Sequence, residues 1–291
     1  MILLTGATGT VGSALLRRLT ATSEPVRCLV RDPRRLGDQR VRVQIALGDL
    51  GQPASFRNAL RGVDTVLHLG ASTRDQPGGS IEELNAVATL RLVRAAESAG
   101  ARRFVFFSTM GASHHSLTRF FRAKALAQEA VEASSLETTV FCPSIMYSPG
   151  DPWLTMLERV SWLPAVPLSG SGSSVYQPIW AEDAADCVLA TLDGPGRGKS
   201  FELAGPEALD YEAIVRTILR SIGRRRPLVH LPLPLVRLSL RALARLAGPS
   251  VFATWEEAEL MEEPMTTARG TADAESLGVT PLTMSAVLGA S

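Results

Sequence analysis

The stretch Met1-Ile-Leu-Leu-Thr-Gly-Ala-Thr-Gly-Thr-Val-Gly12 decides the fold. Its apolar opening suits a buried parallel strand. Three evenly spaced glycines follow, Gly6, Gly9 and Gly12. Beyond them Leu15, Leu16 and Leu19 fall on one face of a helix. Strand, glycine turn and helix in that order are the context of a dinucleotide site. Glycine permits a sharp turn and the close approach of a pyrophosphate. The helix N-terminus presents unpaired N–H groups and a positive dipole end. A tight turn without a ligand is the plainer alternative.

Outward from this stretch, strands and helices alternate. Val26–Arg31 reads as the second strand, Val41–Leu47 as the third, Val63–Leu69 as the fourth, Arg103–Phe107 as the fifth and Thr138–Phe141 as the sixth. Helical periodicity covers residues 81–99 and 117–134. The fold class is therefore α/β, a doubly wound parallel sheet with right-handed crossovers. Near residue 150 the texture changes. The expected domains are 1–150, a nucleotide-binding unit, and 151–291, a smaller α+β substrate-binding unit. Sheet-contributing segments near 175–190 are expected to return to the first unit. His68 stands inside an apolar run and reads as a packed core histidine.

Arg31 follows Gly12 by 19 residues, where an NAD-binding chain would place an acid for the ribose 2′-hydroxyl. A guanidinium there pairs with a 2′-phosphate, with Arg34 or Arg35 in the next turn as its companion. This favours NADP(H) over NAD(H). A solvated arginine loop is the alternative.

The chain has 291 residues, 45% of them hydrophobic, and a net charge of +1. That charge gives no reason to expect nucleic acid as a partner. Cys28, Cys142 and Cys187 are far apart, and nothing in their spacing suggests a disulfide framework or a metal site. The chain opens directly on a strand, so no signal peptide is expected and the cytoplasm is the expected compartment. No apolar run reaches the roughly 18 residues of a membrane span. Leu235–Leu246 is amphipathic, with Arg237, Arg241 and Arg245 along one side. It suits either a membrane surface or, as expected here, packing on its own domain. Only Lys124 and Lys199 among the 30 basic residues are lysine. A chain that writes its positive charge as arginine has a specific use where it keeps a compact ammonium.

These segments together resemble the extended and atypical short-chain dehydrogenase/reductases. The T-G-x-x-G-x-x-G loop, Gly48-Asp49-Leu50, Leu67-His-Leu-Gly-Ala71, Ser108-Thr109, Lys124 and Pro143-Ser144 carry the resemblance. The nearest branch includes the NADPH-carrying accessory subunit of respiratory complex I and the NmrA-like proteins. The resemblance implies coenzyme contacts at Gly6, Thr8, Gly9, Thr10, Val11 and Gly12. It implies others at Arg31, Arg34, Asp49 and Leu50, at Leu69, Gly70 and Ala71, and at Lys124, Pro143 and Met146. It implies a catalytic set of Thr109 or Ser108 with Lys124.

The same family uses a tyrosine four residues before its lysine, and this chain has Phe120 there. A positioned general acid is worth roughly 10²–10⁴ in rate. Tyr147, His114, His115 and the Thr109 hydroxyl are the candidate replacements. Met146, Tyr147, Trp153, Trp162, Tyr176 and Trp180 suit either an apolar, aromatic pocket or a simple aromatic core of the smaller unit.

The expected function is an NADP(H)-dependent oxidoreductase acting on a small apolar carbonyl, quinone, enone or imine, as monomer or homodimer. A non-catalytic NADPH-binding structural or redox-sensing protein is the alternative. A nucleotide-sugar epimerase-like enzyme is third, because that chemistry leans on the missing tyrosine.

Overall fold

A computed structural model of the chain describes residues 1–192, 194, 198–247 and 254–289. The side chains at 243–247, Arg245 among them, lie outside the described residues. The first half alternates as its periodicity predicts. In chain order it forms β1 (Ile2–Thr5), α1 (Thr10–Leu19), β2 (Val26–Val30), β3 (Gln44–Leu47), α2 (Pro53–Phe56), β4 (Thr65–His68), α3 (Ala88–Ser98), β5 (Arg103–Phe107), α4 (Arg119–Glu132) and β6 (Glu137–Pro143). The second half adds β7 (Met146–Tyr147), α5 (Pro152–Val160), β8 (Val166–Ser169), β9 (Val175–Tyr176), β10 (Ile179–Trp180), α6 (Ala181–Leu192), β11 (Lys199–Leu203), β12 (Leu209–Asp210), α7 (Tyr211–Ser221), β13 (Leu228–Leu231), α8 (Leu233–Ala247), α9 (Trp255–Leu260), α10 (Ala272–Ser276) and α11 (Met284–Gly289).

Seven parallel strands form the main sheet, in the order β11-β6-β5-β4-β1-β2-β3. The order reverses between β1 and β4, so the crevice outside their carboxyl ends is the place where an open α/β sheet takes a ligand. One face of the sheet packs Leu4, Leu67, Val105 and Phe141 against α1 and α6. The other packs Leu3, Val66, Phe104 and Val140 against α3 and α4. A separate apolar cluster in the second half joins Tyr147, Tyr176, Tyr211 and Ile218 to Met110 and Phe121.

Three elements differ from the periodicity. The third strand starts at Gln44, because Pro33–Val41 forms 3-10 turns broken by Gly37 at φ +56°. The helix at 81–99 passes through a π-turn at Glu83–Val87 before becoming regular at Ala88. Asn85 lies in that turn and reaches back to the loop after β4. Lys199–Leu203 joins the main sheet, while Ile179, Ala181, Ala184 and Val188 of the 175–190 stretch pack into the core against α1. Pro178 interrupts that stretch, leaving the two-residue strands β9 and β10.

Two ties fix α1. Arg18 bonds Asp186 at 2.5 and 2.9 Å and pairs also with Glu182, joining α1 to α6. Gly12 lets the first turn of α1 lie directly on the glycine loop, since a Cβ there would sit 2.0 Å from the Gly6 carbonyl oxygen. That neighbour is backbone and cannot swing aside. Gly12→Ala is expected to lower the unfolding free energy by about 1–3 kcal/mol, the usual range for overpacking. Urea unfolding followed by circular dichroism measures it; an unchanged midpoint would refute the tight seating of α1.

Candidate coenzyme and substrate site

A cleft of about 350 Å³ opens at the carboxyl ends of β1, β2 and β4. The glycine loop (Gly6 to Gly9) forms one wall, and Leu69 to Ser72 the opposite one. Arg31, Arg35, Asp49 and Leu50 close the far end. The two walls approach because Gly6 lacks a side chain. It has φ +74°, and a Cβ on it would lie 2.6 Å from the Leu69 carbonyl carbon. Gly9 caps α1 without a side-chain hydrogen bond. Thr10, Val11 and Gly12 open the helix, so their amides precede the first intrahelical acceptors. The site therefore has the parts of an anion cradle: glycine backbone, free amides and a helix dipole.

Asp49 folds back on its own loop, accepting the Gly51 amide at 2.9 Å. Arg31 reaches across the mouth and donates to Gln76 Oε1 at 2.6 Å. Gln76 in turn donates to Ser72 Oγ at 2.8 Å. Arg35, not Arg34, joins Arg31 on the cleft wall. Asp32 caps the following turn through the Arg34 amide, which sets which arginine faces inward. Gln76 and Ser72 were not legible as site residues, because their loop has no periodicity and no motif.

Beneath the cleft a hydrogen-bond chain runs in one direction. Gly70 N–H donates to Thr5 Oγ1 at 3.3 Å. Thr5 Oγ1 meets His68 Nδ1 at 2.6 Å, and His68 Nε2 meets Thr89 Oγ1 at 2.9 Å. Thr89 spends its proton on the Asn85 carbonyl at 2.5 Å. His68 must then donate from Nε2 and accept at Nδ1, which is the neutral tautomer. The ring is fully buried and stacks on Phe106 with centroids 5.7 Å apart. Burial first, and the Lys124 charge second, push its pKa down to about 3. His68 is a structural histidine that holds the loop lining the cleft.

Next to it, at the carboxyl ends of β4 and β5, stands Lys124. Thr118 caps α4 by accepting the Phe121 amide at 3.4 Å, which sets the phase of the helix. Lys124 Nζ donates to the Phe107 carbonyl at 2.5 Å and lies 4.8 Å from the Phe106 ring centre. The Phe120 ring, one turn earlier on α4, is 5.8 Å away and offers no hydroxyl. Burial lowers the Lys124 pKa to about 7.

Ser108 is buried, and its hydroxyl lies against the Cys142 thiol. Thr109 Oγ1 donates to the Met110 carbonyl at 3.0 Å and lies 3.9 Å from Met265 Sδ. Met265 is pinned there, its carbonyl accepting from Ser144 Oγ at 2.7 Å. Pro143 is buried and Met146 half-buried beside this region, outside the adenosine-sized cleft.

The candidate proton donors separate clearly. Tyr147 is fully buried, its hydroxyl without a partner, and burial raises its pKa above the ordinary value. His114 is exposed and meets Glu129 at 3.5 Å, and His115 is exposed on the same loop. The aromatic pocket residues also divide. Tyr176 is buried and donates to the Met261 carbonyl at 2.6 Å. Trp162 is 74% exposed under the Arg224 guanidinium and is not part of the cleft's lining. It follows the last residue of α5, so it leaves the face that packs inward. Among the described residues no group of His, Cys, Asp or Glu is arranged to hold a metal.

Residues 6–158 match a protein family described as NAD(P)H-binding. The Arabidopsis thaliana protein NADH dehydrogenase [ubiquinone] 1 alpha subcomplex subunit 9, mitochondrial, is 29% identical over 80% of this chain, which spans 60% of that relative's length. The (4-alkanoyl-5-oxo-2,5-dihydrofuran-3-yl)methyl phosphate reductase of Streptomyces griseus is 30% identical, covering 89% of this chain and 86% of its own. A solved nucleoside-diphosphate-sugar epimerase from Staphylococcus aureus superposes with a TM-score of 0.74 at 21% identity, over 99% of each chain. At that identity the likeness concerns the fold.

The His68 network yields a pH prediction. A histidine whose pKa is 6.5 unfolded and about 3 folded takes up its proton only on unfolding between those values. Stability is full above pH about 6.5 and falls as the pH drops toward 3. From pH 7 to 5 the loss from this group is about 2 kcal/mol. In urea titrations His68→Gln should lose that much less than the wild type over the same interval. Equal losses would mean that His68 is not held neutral.

Proposed function

The chain belongs to the NAD(P)H-binding family, and from that membership we propose that it is an NADP(H)-dependent reductase of a small apolar acceptor: a carbonyl, quinone, enone or imine. The observation that carries the reading is the pair of positive groups at the two ends of one site. Arg31 and Arg35 stand at the mouth of the cleft, and Lys124 lies buried at the carboxyl end of β5. Coenzyme in its reduced form supplies a hydride when bound. The chain's own residues bind, orient and exclude water around it.

The amides of Thr10, Val11 and Gly12 hold the diphosphate, with Thr8 and the glycines leaving room. Leu50, Leu69 and Ala71 enclose the adenosine, with Asp49 beside it. Arg31 exchanges its Gln76 contact for a 2′-phosphate, a charge-assisted bond for a neutral one. Lys124 positions the nicotinamide ribose beside Pro143 and Met146. Thr109 or Ser108 donates to the acceptor's oxygen or nitrogen; both directly follow β5, beside the carbonyl that Lys124 holds. An enone, a quinone or a protonated imine needs less of a proton donor than a simple ketone. Phe120 therefore supports that end of the substrate range over a nucleotide sugar, whose epimerisation relies on the tyrosine.

Phe120 also supports a second reading, an NADPH-binding protein that does not turn over and signals coenzyme state to a partner. The Arabidopsis relative, named as a subunit of a dehydrogenase, is consistent with it.

Calorimetry with NADPH and NADH tests the coenzyme choice. NADPH should bind about tenfold or more tightly, the worth of one or two charge-assisted bonds. The Arg31→Ala/Arg35→Ala variant should erase that margin while leaving NADH affinity near the wild-type value. Equal affinities in the wild type would overturn the preference. Absorbance of the reduced nicotinamide, followed against quinones, enones and imines, separates the two readings. Oxidation well above background supports the reductase, and tight binding with none supports the sensor.

Where turnover is seen, its rate should fall as the pH rises through about 7, because the Lys124 ammonium is then lost. Lys124→Met should lower the rate throughout and flatten that fall. A fall of unchanged shape in the variant would assign the titration elsewhere.

A further inference from the structure

Between Glu212 and Glu256 the sequence holds eight arginines and no acidic residue, in a chain whose overall net charge is +1. Among the described residues only Arg216 of these arginines meets a carboxylate, that of Glu212. The amphipathic helix α8 lies inside this basic run. Val236 is its buried contact, while Leu235 is 58% exposed and Leu238 is 68% exposed.

Beside those leucines an open groove of about 630 Å³ runs between α8 and α9, walled by Leu233, Pro234, Leu238 and Trp255. Arg237 and Arg241 stand on the same wall. The Arg237 guanidinium lies 5.3 Å from the Trp255 ring centre, and its charge acts on Glu259 of α9. On α9, Glu257 is engaged by Arg74 at 2.8 Å and by Thr73 at 3.0 Å. Neither Arg237 nor Arg241 has a carboxylate partner among the described residues.

A single exposed leucine needs no explanation. Exposed leucines, an apolar groove and guanidiniums in no salt bridge on one helix form a surface that is apolar and cationic together. Water satisfies only the second property. We infer that α8 is an interfacial helix, and that its partner is a membrane surface rich in anionic lipid. The leucines and the groove take acyl chains, and Arg237 and Arg241 take lipid phosphates. No helix among the described residues is long and apolar enough to cross a membrane, so the contact is peripheral. The inference stands apart from the coenzyme reading, since no residue of the cleft takes part in it.

Flotation of the full chain with vesicles tests it. Phosphatidylcholine alone is compared with phosphatidylcholine containing about one third phosphatidylglycerol, enough to set a negative surface potential. The protein should float with the anionic vesicles only, and added salt should release it. Arg237→Gln/Arg241→Gln should weaken partitioning about twentyfold, a few-fold per arginine. Leu235→Ser/Leu238→Ser should weaken it at least as much. All four positions are exposed, so circular dichroism and melting of both variants should match the wild type. NADPH calorimetry on the same samples should be unchanged.

Failure to float, or flotation that neither double variant alters, overturns the proposal. So does a dimer in light scattering that the leucine variant dissolves without any lipid binding, since a second copy would then cover the face. Altered NADPH affinity would also overturn it, by placing α8 in the coenzyme site.

Discussion

The fold turns on a close approach between two stretches of backbone. The carbonyl of Leu69 comes so near Gly6 that a single Cβ would lie 2.6 Å from it. Without that approach β1 and β4 could not end side by side with the glycine loop folded over them. Gly12 repeats the constraint on the other side, seating α1 on the Gly6 carbonyl. A helix N-terminus then faces a crevice at the point where strand order reverses. Both glycines serve packing first. The anion cradle follows from where packing leaves the free amides.

The layer beneath the cleft is built to keep charge out. The chain Gly70, Thr5, His68, Thr89, Asn85 uses every proton in one sense and holds His68 neutral. Asn85 continues it, bonding both the amide and the carbonyl of Ser72 at 3.1 and 2.8 Å. The loop that carries Gln76 is thereby anchored at its start, and Gln76 meets Arg31 across the cleft mouth. Lys124 is the one ammonium admitted nearby. The Phe107 carbonyl and the faces of two phenylalanine rings surround it. Phe120 carries no hydroxyl, so that ammonium is the polar group α4 brings to the end of β5.

The strands and the glycine loop were legible because their signals are local. Buried parallel strands are short apolar runs, and a glycine spacing survives any tertiary context. What needed tertiary information was not legible. Arg34 and Arg35 are equivalent in sequence, and only the folded turn after Asp32 shows that Arg35 lines the cleft. Gln76, Ser72 and Met265 lie in irregular segments and acquire their places through long-range bonds. Trp162 read as a pocket residue by composition alone, and its position past the end of α5 exposes it. The strand that completes the sheet is Lys199–Leu203, because Pro178 breaks the extended stretch before it.

The central claim is that the first amides of α1 receive the coenzyme's diphosphate. It is tested most directly by two-dimensional ¹H–¹⁵N NMR of the labelled protein with and without NADPH. The account predicts that the amide resonances of Gly9, Thr10, Val11 and Gly12 shift most, while those of α8 stay in place. Saturating coenzyme that leaves the four glycine-loop amides unmoved would contradict it.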